Sequence, residues 1–456
     1  MTASAVPRPT VMRQRYSNQA KHRSPSKTDI FFAPMVGAIA AVIVSTGVTA
    51  ATGYVFWSRT TSHLAAATVG QTTSLVAAFT AVSLFVGQPI GVTLVARLPR
   101  SGYQRGLLIT ALRTTGFRCV AISSIVIIAL PHISRHFMFA ASPLTGTLFV
   151  AAATTQALGL VLDQASIGIR FARVMSQRNA AQGVLKLGFL SLLLASIGSR
   201  HLGPDFVLAV WTSANFLSIA WAVLSCRRRC SNECARKSRA ALRKELNKQS
   251  MWQTVASLCG SLPPQILPLL VAAQIGPTAS GEFSLTWQVG AACYVISPAV
   301  ASALLAELSH ENIDSRRRIG IASLIIAGLL APMDLFLVIF GKFFLHYFGN
   351  GVATAGYGLL IILVVSTFPD AVTNIAVSVY RSQEQLRRAA AVNAIIAAMV
   401  LGSTSFLLSK QGIYGAGYAW LAGEVAGTWL LPLIGYIPDR SFATAWRPGR
   451  SRNENS

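Results

Sequence analysis

The sequence predicts an all-α polytopic membrane protein: about twelve transmembrane helices in two pseudo-symmetric six-helix lobes, with both termini cytoplasmic. Three observations lead there. Of the 456 residues, 53% are hydrophobic and only 12% are charged, and mean hydropathy is +0.53. A soluble domain carries about twice that charged share, and a soluble chain of this length needs far more polar surface. Lys and Arg fall on alternate connections between apolar stretches, which is how membrane orientation is set. The chain also echoes itself at an offset of about 210 residues.

Windows of about twenty apolar residues place spans near 31–57, 69–96, 111–131, 143–169, 180–198, 205–225, 251–272, 281–308, 318–340, 354–380, 387–408 and 413–436. The basic stretch 1–30 is expected to be a disordered cytoplasmic tail. The first span has no cleavage site after it and reads as a retained helix, not a signal peptide. The third span is the least apolar: its uninterrupted run from Cys119 to Pro131 is too short to cross and must recruit residues around Arg113 and Arg118. Of 39 Lys and Arg, 34 lie in the two tails and in the stretches 97–118, 170–186, 226–250, 310–318 and 381–388 around alternate connections, and the other five are Arg59, Arg135, Arg200, Lys342 and Lys410. An odd number of spans would scramble that asymmetry. The net charge of +24 is therefore a topology signal, and nucleic acid is not an expected partner.

The segment "CRRRCSNECARKSRAALRKELNKQS" (226–250) separates a first lobe, 31–225, from a second, 251–436, followed by a cytoplasmic tail over 437–456. Two echoes are in phase with this division. "ATVGQTTSLV" and "TASGEFSLTW" put Gly70 and Gly281 at the start of the second span of each lobe. "VMSQRNAA" and "YRSQEQLRR" put Ser176-Gln177 against Ser382-Gln383. Together they point to a duplication of parallel halves.

Ionisable groups at membrane depth are functional candidates. In the fourth span Gln156, Asp163 and Arg170 are seven apart and share a helix face, and in the tenth Thr367, Asp370, Asn374, Ser378 and Arg381 form a similar stripe. Shifting Asp163 by the offset of the second echo lands within one residue of Asp370. Two readings stand: the acids bind a coupling proton or sodium ion, or each is locked to a neighbouring Arg or Asn and fixes helix packing. Arg59, Arg113, Arg118, Arg170, Lys186 and Arg381 lie near or within spans. Arg suits an anionic diphosphate by bidentate hydrogen bonding, although any one of these side chains can instead snorkel to lipid phosphates. Gln88-Pro89 and Pro369 mark places where helices can bend. Glu307, Asp334 and Glu424 have no accompanying stripe and rank second.

The six cysteines show no secreted disulfide spacing. Cys226, Cys230 and Cys234 would share a helix face, but no nearby His completes a metal site. His132, Arg135 and His136, in the longest outward loop, read as interfacial. Walker A, GxSxG and HExxH motifs are absent, as are paired loop carboxylates of the glycosyltransferase type. A transporter is expected rather than an enzyme.

The stretches "TGYVFWSRTTSHLAAATVGQTTSLV", "GLVLDQASIGIRFARVMSQRN", "STFPDAVTNIAVSVYRSQ" and "QGIYGAGYAWLAGEV" resemble polysaccharide or oligosaccharide flippases of the multidrug/oligosaccharidyl-lipid/polysaccharide exporter superfamily, over roughly residues 31–436. The resemblance implies a central cavity between the lobes, alternating access by lobe rocking, and a polyprenyl-diphosphate-linked glycan moved across a bacterial plasma (inner) membrane for cell-surface glycan biosynthesis. It implies membrane lipids and glycan-assembly enzymes as partners, and no cofactor beyond a coupling proton or sodium ion. On this reading Arg59, Arg118, Arg170, Lys186, Arg381, Gln88, Gln156 and Asn374 are candidates for the cavity and the diphosphate, and Asp163 and Asp370 for the ion. The alternatives are a cation-coupled multidrug antiporter of the same fold, whose usual acidic residue in the first helix is missing here, and a membrane glycan polymerase, ligase or scaffold, which the short outward loops disfavour.

Overall fold

The computed structural model describes residues 47–98, 104–169, 171, 173–197, 203–229, 251–308 and 315–432. Apart from short turns, the described chain is helical. The first lobe consists of α1 (47–61), α2 (Ala66–Arg97), α3 (Gln104–Ile133), α4 (Pro143–Gly168), α5 (Arg173–Ile197) and α6 (Pro204–Arg229). In the second lobe, α7 is split into α7a (Met251–Ser261) and α7b (Pro263–Gln274). Likewise α8 is split into α8a (Pro277–Gly290) and α8b (Ile296–Leu308). Then come α9 (Ser315–His346), α10 (Asn350–Ser382), α11 (Leu386–Gln411) and α12 (Ile413–Trp429).

Among the described residues eight helices are long and apolar enough to cross a membrane, and ten if each bent pair counts as one span. The described part of α1 and the 17-residue α12 occupy the two remaining expected spans. The chain is thus a multi-pass membrane protein.

The bends are the departures from twelve simple rods. α7a and α7b meet at 46° and the two parts of α8 at 55°. Pro263 and Pro264 remove two backbone donors at the first break, so a new helix starts there. Gly290 precedes the second, where a 3-10 turn at Cys293–Val295 intervenes. By contrast α2 and α10 run unbroken through Pro89 and Pro369. The Thr93 hydroxyl donates to the Pro89 carbonyl at 2.9 Å, an additional bond within the turn that follows the proline.

The packing repeats with the sequence. In the first lobe α4 is the central helix, touching α2, α3 and α6, with α5 against α6; in the second, α10 touches α8, α9 and α12, with α11 against α12. Each contact recurs six spans later. The lobes meet where α2 crosses α8a. There the echoed glycines touch: a methyl on Gly281 would sit 3.1 Å from Gly70 Cα, and one on Gly70 would run into the Pro277 carbonyl. Ser74 and Ser280 share a hydrogen bond of 3.0 Å beside them. Lipid tails are as apolar as Leu, so membrane helices gain little from hydrophobicity and pack closely through small residues. A duplicated residue can touch its own copy only at the local two-fold axis, so the first echo marks the axis between the lobes. The axis contact lies at the membrane face away from the basic loops.

Candidate functional site

Each lobe carries a buried polar cluster, and the two differ in charge. In the first lobe Asp163 on α4 accepts two hydrogen bonds from Arg178 on α5, 2.7 Å from Nε and 2.6 Å from Nη2. Arg178 also donates to Asn179 Oδ1 at 2.7 Å. The guanidinium lies over Gly159, where an added methyl would come within 2.8 Å of Nη1. The absence of a side chain at 159 makes room for the pair. This bidentate ion pair neutralises Asp163 and ties α4 to α5, which is the packing reading of that acid.

Lys186, two helical turns further along α5, is different. It is 7% exposed, and its Nζ stands 4.0 Å from the ring centroid of Trp211 on α6 and 4.7 Å from that of Phe56 on α1. Among the described residues no carboxylate pairs with it. Two ring faces offset part of the desolvation, each contributing about 2 kcal/mol at a desolvated site, which leaves a buried charge that structure alone does not require. Nearby, Asn215 Nδ2 donates to Gln156 Oε1 at 3.0 Å, while Asn215 Oδ1 and Trp211 Nε1 are buried without partners.

The second lobe's buried cluster holds acids with no cation paired to them among the described residues, whereas Glu307 of the same lobe pairs with Arg318 at 2.7 Å. Asp370 Oδ2 accepts from Ser297 Oγ at 2.5 Å. Asn374 Nδ2 donates to the same hydroxyl at 3.2 Å and to the Asp370 carbonyl at 3.0 Å. Thr373 Oγ1 donates to Glu424 Oε2 on α12 at 3.2 Å and to the Asp370 backbone carbonyl at 2.9 Å, so Glu424 is held against the turn of α10 that begins at Asp370. Next to them Tyr294 bonds to Ser366 and accepts from Trp420 Nε1 at 3.0 Å. Asp334 on α9 is buried too, with Oδ1 unpartnered and Oδ2 accepting from Thr367 at 2.9 Å. The residue following Ser382-Gln383 in the echo is Glu384, exposed in a turn with φ of 58°. The counterpart of Asp163 therefore lacks the guanidinium that neutralises the first.

The remaining candidates scatter. Gln88 lies at the seam, where Nε2 donates to Ser257 Oγ of α7a at 2.9 Å. Arg381 is half-buried at the end of α10, with Nε unpartnered. Arg118 and Arg113 are exposed on α3, Arg118 beside Phe117, which is 78% exposed. The buried stripe of α3 instead runs through Ala111, Thr115, Cys119 and Ser123. Arg118 thus faces outward, where its charge snorkels, and does not join Lys186. Arg59 is exposed at the end of α1 away from the basic loops. Arg170, Cys230 and Cys234 lie outside the described residues, whereas Cys226 is buried within α6 and is not part of a linker.

Arg178 and Glu424 were not among the leading sequence candidates, yet both had a signal. Arg178 follows the echoed Ser176-Gln177. Glu424 stands four residues after Trp420, as Asn215 does after Trp211, so the last helix of each lobe carries Trp and a polar group one turn apart.

No protein-family model and no curated protein matches this sequence. Solved structures do match in shape. An inward-facing multidrug resistance MATE family transporter of the MOP superfamily superposes with a TM-score of 0.65 at 11% identity, over 85% of this chain and 94% of that one. The MATE transporter VcmN of Vibrio cholerae gives 0.64 at 14% identity, covering 89% and 96%. The lipid II flippase MurJ, in an inward closed conformation, gives 0.65 at 9% identity, covering 89% of each chain. The fold is the MATE-like transporter fold. At these identities the likeness establishes architecture only.

Proposed function

We propose that this protein moves a polyprenyl-diphosphate-linked oligosaccharide or polysaccharide precursor across a bacterial plasma membrane by alternating access, in cell-surface glycan assembly. The observation that carries the reading is Lys186, a buried cation with aromatic faces but no carboxylate pairing with it among the described residues. A group this costly to bury is accounted for if an anionic head group supplies the missing charge during transport. Asn215, one helical turn from the Trp211 that Lys186 touches, and its partner Gln156 offer amides to a sugar or phosphate. The polyprenyl tail stays in the lipid throughout. Closing and opening of the Gly70–Gly281 contact as the lobes rock would expose the head group to one face and then the other. The shared fold with MATE transporters and with a lipid II flippase supports membrane translocation in general.

The acid pair in the second lobe supports ion coupling within the same scheme. Asp370 and Glu424 sit among hydroxyl and amide groups with no guanidinium or ammonium paired to them among the described residues, so a proton or sodium ion would complete the charge balance. Asp163, already neutralised by Arg178, is the packing residue of the pair.

The test is genetic and chemical. Deleting the gene should cause a polyprenyl-diphosphate oligosaccharide to accumulate in extracted lipids while the surface glycan is lost. Wild-type protein should reverse both, and Lys186→Ala made at normal levels should reverse neither. The combined Asp370→Asn and Glu424→Gln variant should abolish the dependence of transport on an ion gradient, whereas a gradient dependence that survives it would remove the coupling role. An unchanged lipid pool with altered drug tolerance would favour the multidrug antiporter.

A further inference from the structure

The outer side of the first lobe carries a long apolar groove that the transport reading does not use. Its floor is one face of α4, with Gly146, Val150 and Thr154 following one another at helical spacing, and its walls are Val120 and Ile128 of α3 and Phe216 of α6. The volume is about 1020 Å³. A second hollow of about 570 Å³ continues it past Gly146 to Pro131, His132 and Ser142. The floor from Pro143 to Thr155 is about 18 Å long at 1.5 Å per residue, close to half of the ~30 Å hydrocarbon core. Phe216 and Ile128 are 63% and 68% exposed, so the groove opens sideways, towards the bilayer.

Its wet end is basic. The groove ends at His132, and one turn on, Arg135 and His136 stand exposed at the start of the 3-10 segment Arg135–Ala141. The acid at this end, Asp205, is engaged by Thr145 Oγ1 at 2.6 Å. At the 207-residue offset that relates Asp163 to Asp370, Val150 corresponds to Tyr357, whose hydroxyl bonds across to the Val338 carbonyl at 2.8 Å. The second lobe thus fills with a tyrosine the strip that the first leaves open.

We propose that this groove is a binding site for an anionic phospholipid of the leaflet away from the basic loops. One acyl chain lies along α4, and the phosphate meets Arg135, His132 and His136. Depth of one leaflet fits an acyl chain, and basic groups at the end of an apolar slot select a negatively charged head group. The roof segment also joins the lobes, since Ser134 Oγ donates to the Ala273 carbonyl at 3.0 Å, so a lipid held here lies against the contact that closes this face. The site is independent of what the protein transports.

Gly146 provides the test, because it lines both hollows and a methyl there would meet nothing within 4 Å. Gly146→Phe should therefore fill the slot without disturbing the helix. Full-length protein in detergent is titrated with dioleoylphosphatidylglycerol, dioleoylphosphatidylcholine or undecaprenyl phosphate, and bound lipid is counted by native mass spectrometry. The expected result is a preference of about tenfold for the glycerol lipid over the choline lipid, lost in Gly146→Phe and reduced about fivefold in Arg135→Gln, with melting temperatures of both variants unchanged in the absence of lipid. Equal retention of the two phospholipids, or retention insensitive to Gly146→Phe, would overturn the site. Displacement of the glycerol lipid by undecaprenyl phosphate at lower concentration, sensitive to Gly146→Phe, would overturn the phospholipid assignment in favour of a carrier lipid.

Discussion

Two basic side chains on α5, two turns apart, have opposite fates. Arg178 is satisfied by Asp163, and among the described residues Lys186 meets aromatic rings and no carboxylate. Substitution should separate them. Asp163→Asn leaves the guanidinium uncompensated and should cost about 3–5 kcal/mol, whereas the double variant Asp163→Leu with Arg178→Met should recover most of it, both read by thermal unfolding in detergent. Lys186→Met removes a charge that costs stability, so its melting temperature should equal or exceed that of wild type while transport falls, the trade expected of a functional group. A fall in both would make Lys186 a structural residue. The sequence exposed the two acids and the echo relating them, because an aspartate inside an apolar span is conspicuous. It could not show that Arg178 belongs to Asp163. The two are fifteen residues apart on different helices, and a periodicity argument sees only one helix at a time.

Continuous helices were legible, α4 most closely, expected over 143–169 and forming Pro143–Gly168, whereas α3 and α5 start seven residues before the expected spans because their basic first turns lower the hydropathy there. The broken α7 and α8 were not legible, because a twenty-residue hydropathy window averages across a proline pair or a Gly-Ala-Ala turn. Nor did hydropathy say which face of α3 is buried. Arg118 lay within the expected span, but the stripe Ala111, Thr115, Cys119 and Ser123 turns inward instead. Arg118→Gln should therefore leave transport within about twofold of wild type, measured alongside Lys186→Met. A loss as large as that of Lys186→Met would place Arg118 at the substrate after all.

At the scale of the whole molecule the duplication organises everything. The contact pattern of α2, α3, α4, α5 and α6 recurs in α8 to α12, the echoed glycines touch at the axis between lobes, and the acids have diverged around this shared frame. Closing the lobes at the face away from the basic loops requires two helix backbones to meet without side chains between them. Gly70→Ala would push the Pro277 carbonyl away and should disfavour that closed state by about 1–3 kcal/mol. Distances between spin labels placed on α2 and α8 should then shift towards the open population, and an unchanged distribution would mean that the Gly70 contact does not hold that face closed.

The most direct measurement of the account is translocation itself: purified protein in proteoliposomes with a fluorescent polyprenyl-diphosphate sugar, scored by how fast the label becomes accessible to a membrane-impermeant quencher. Wild-type protein should accelerate crossing over empty vesicles, and Lys186→Met, though folded, should slow it by about tenfold or more, equivalent to at least ~1.4 kcal/mol of lost interaction. No acceleration by the wild-type protein, or equal rates for the folded variant, would contradict it.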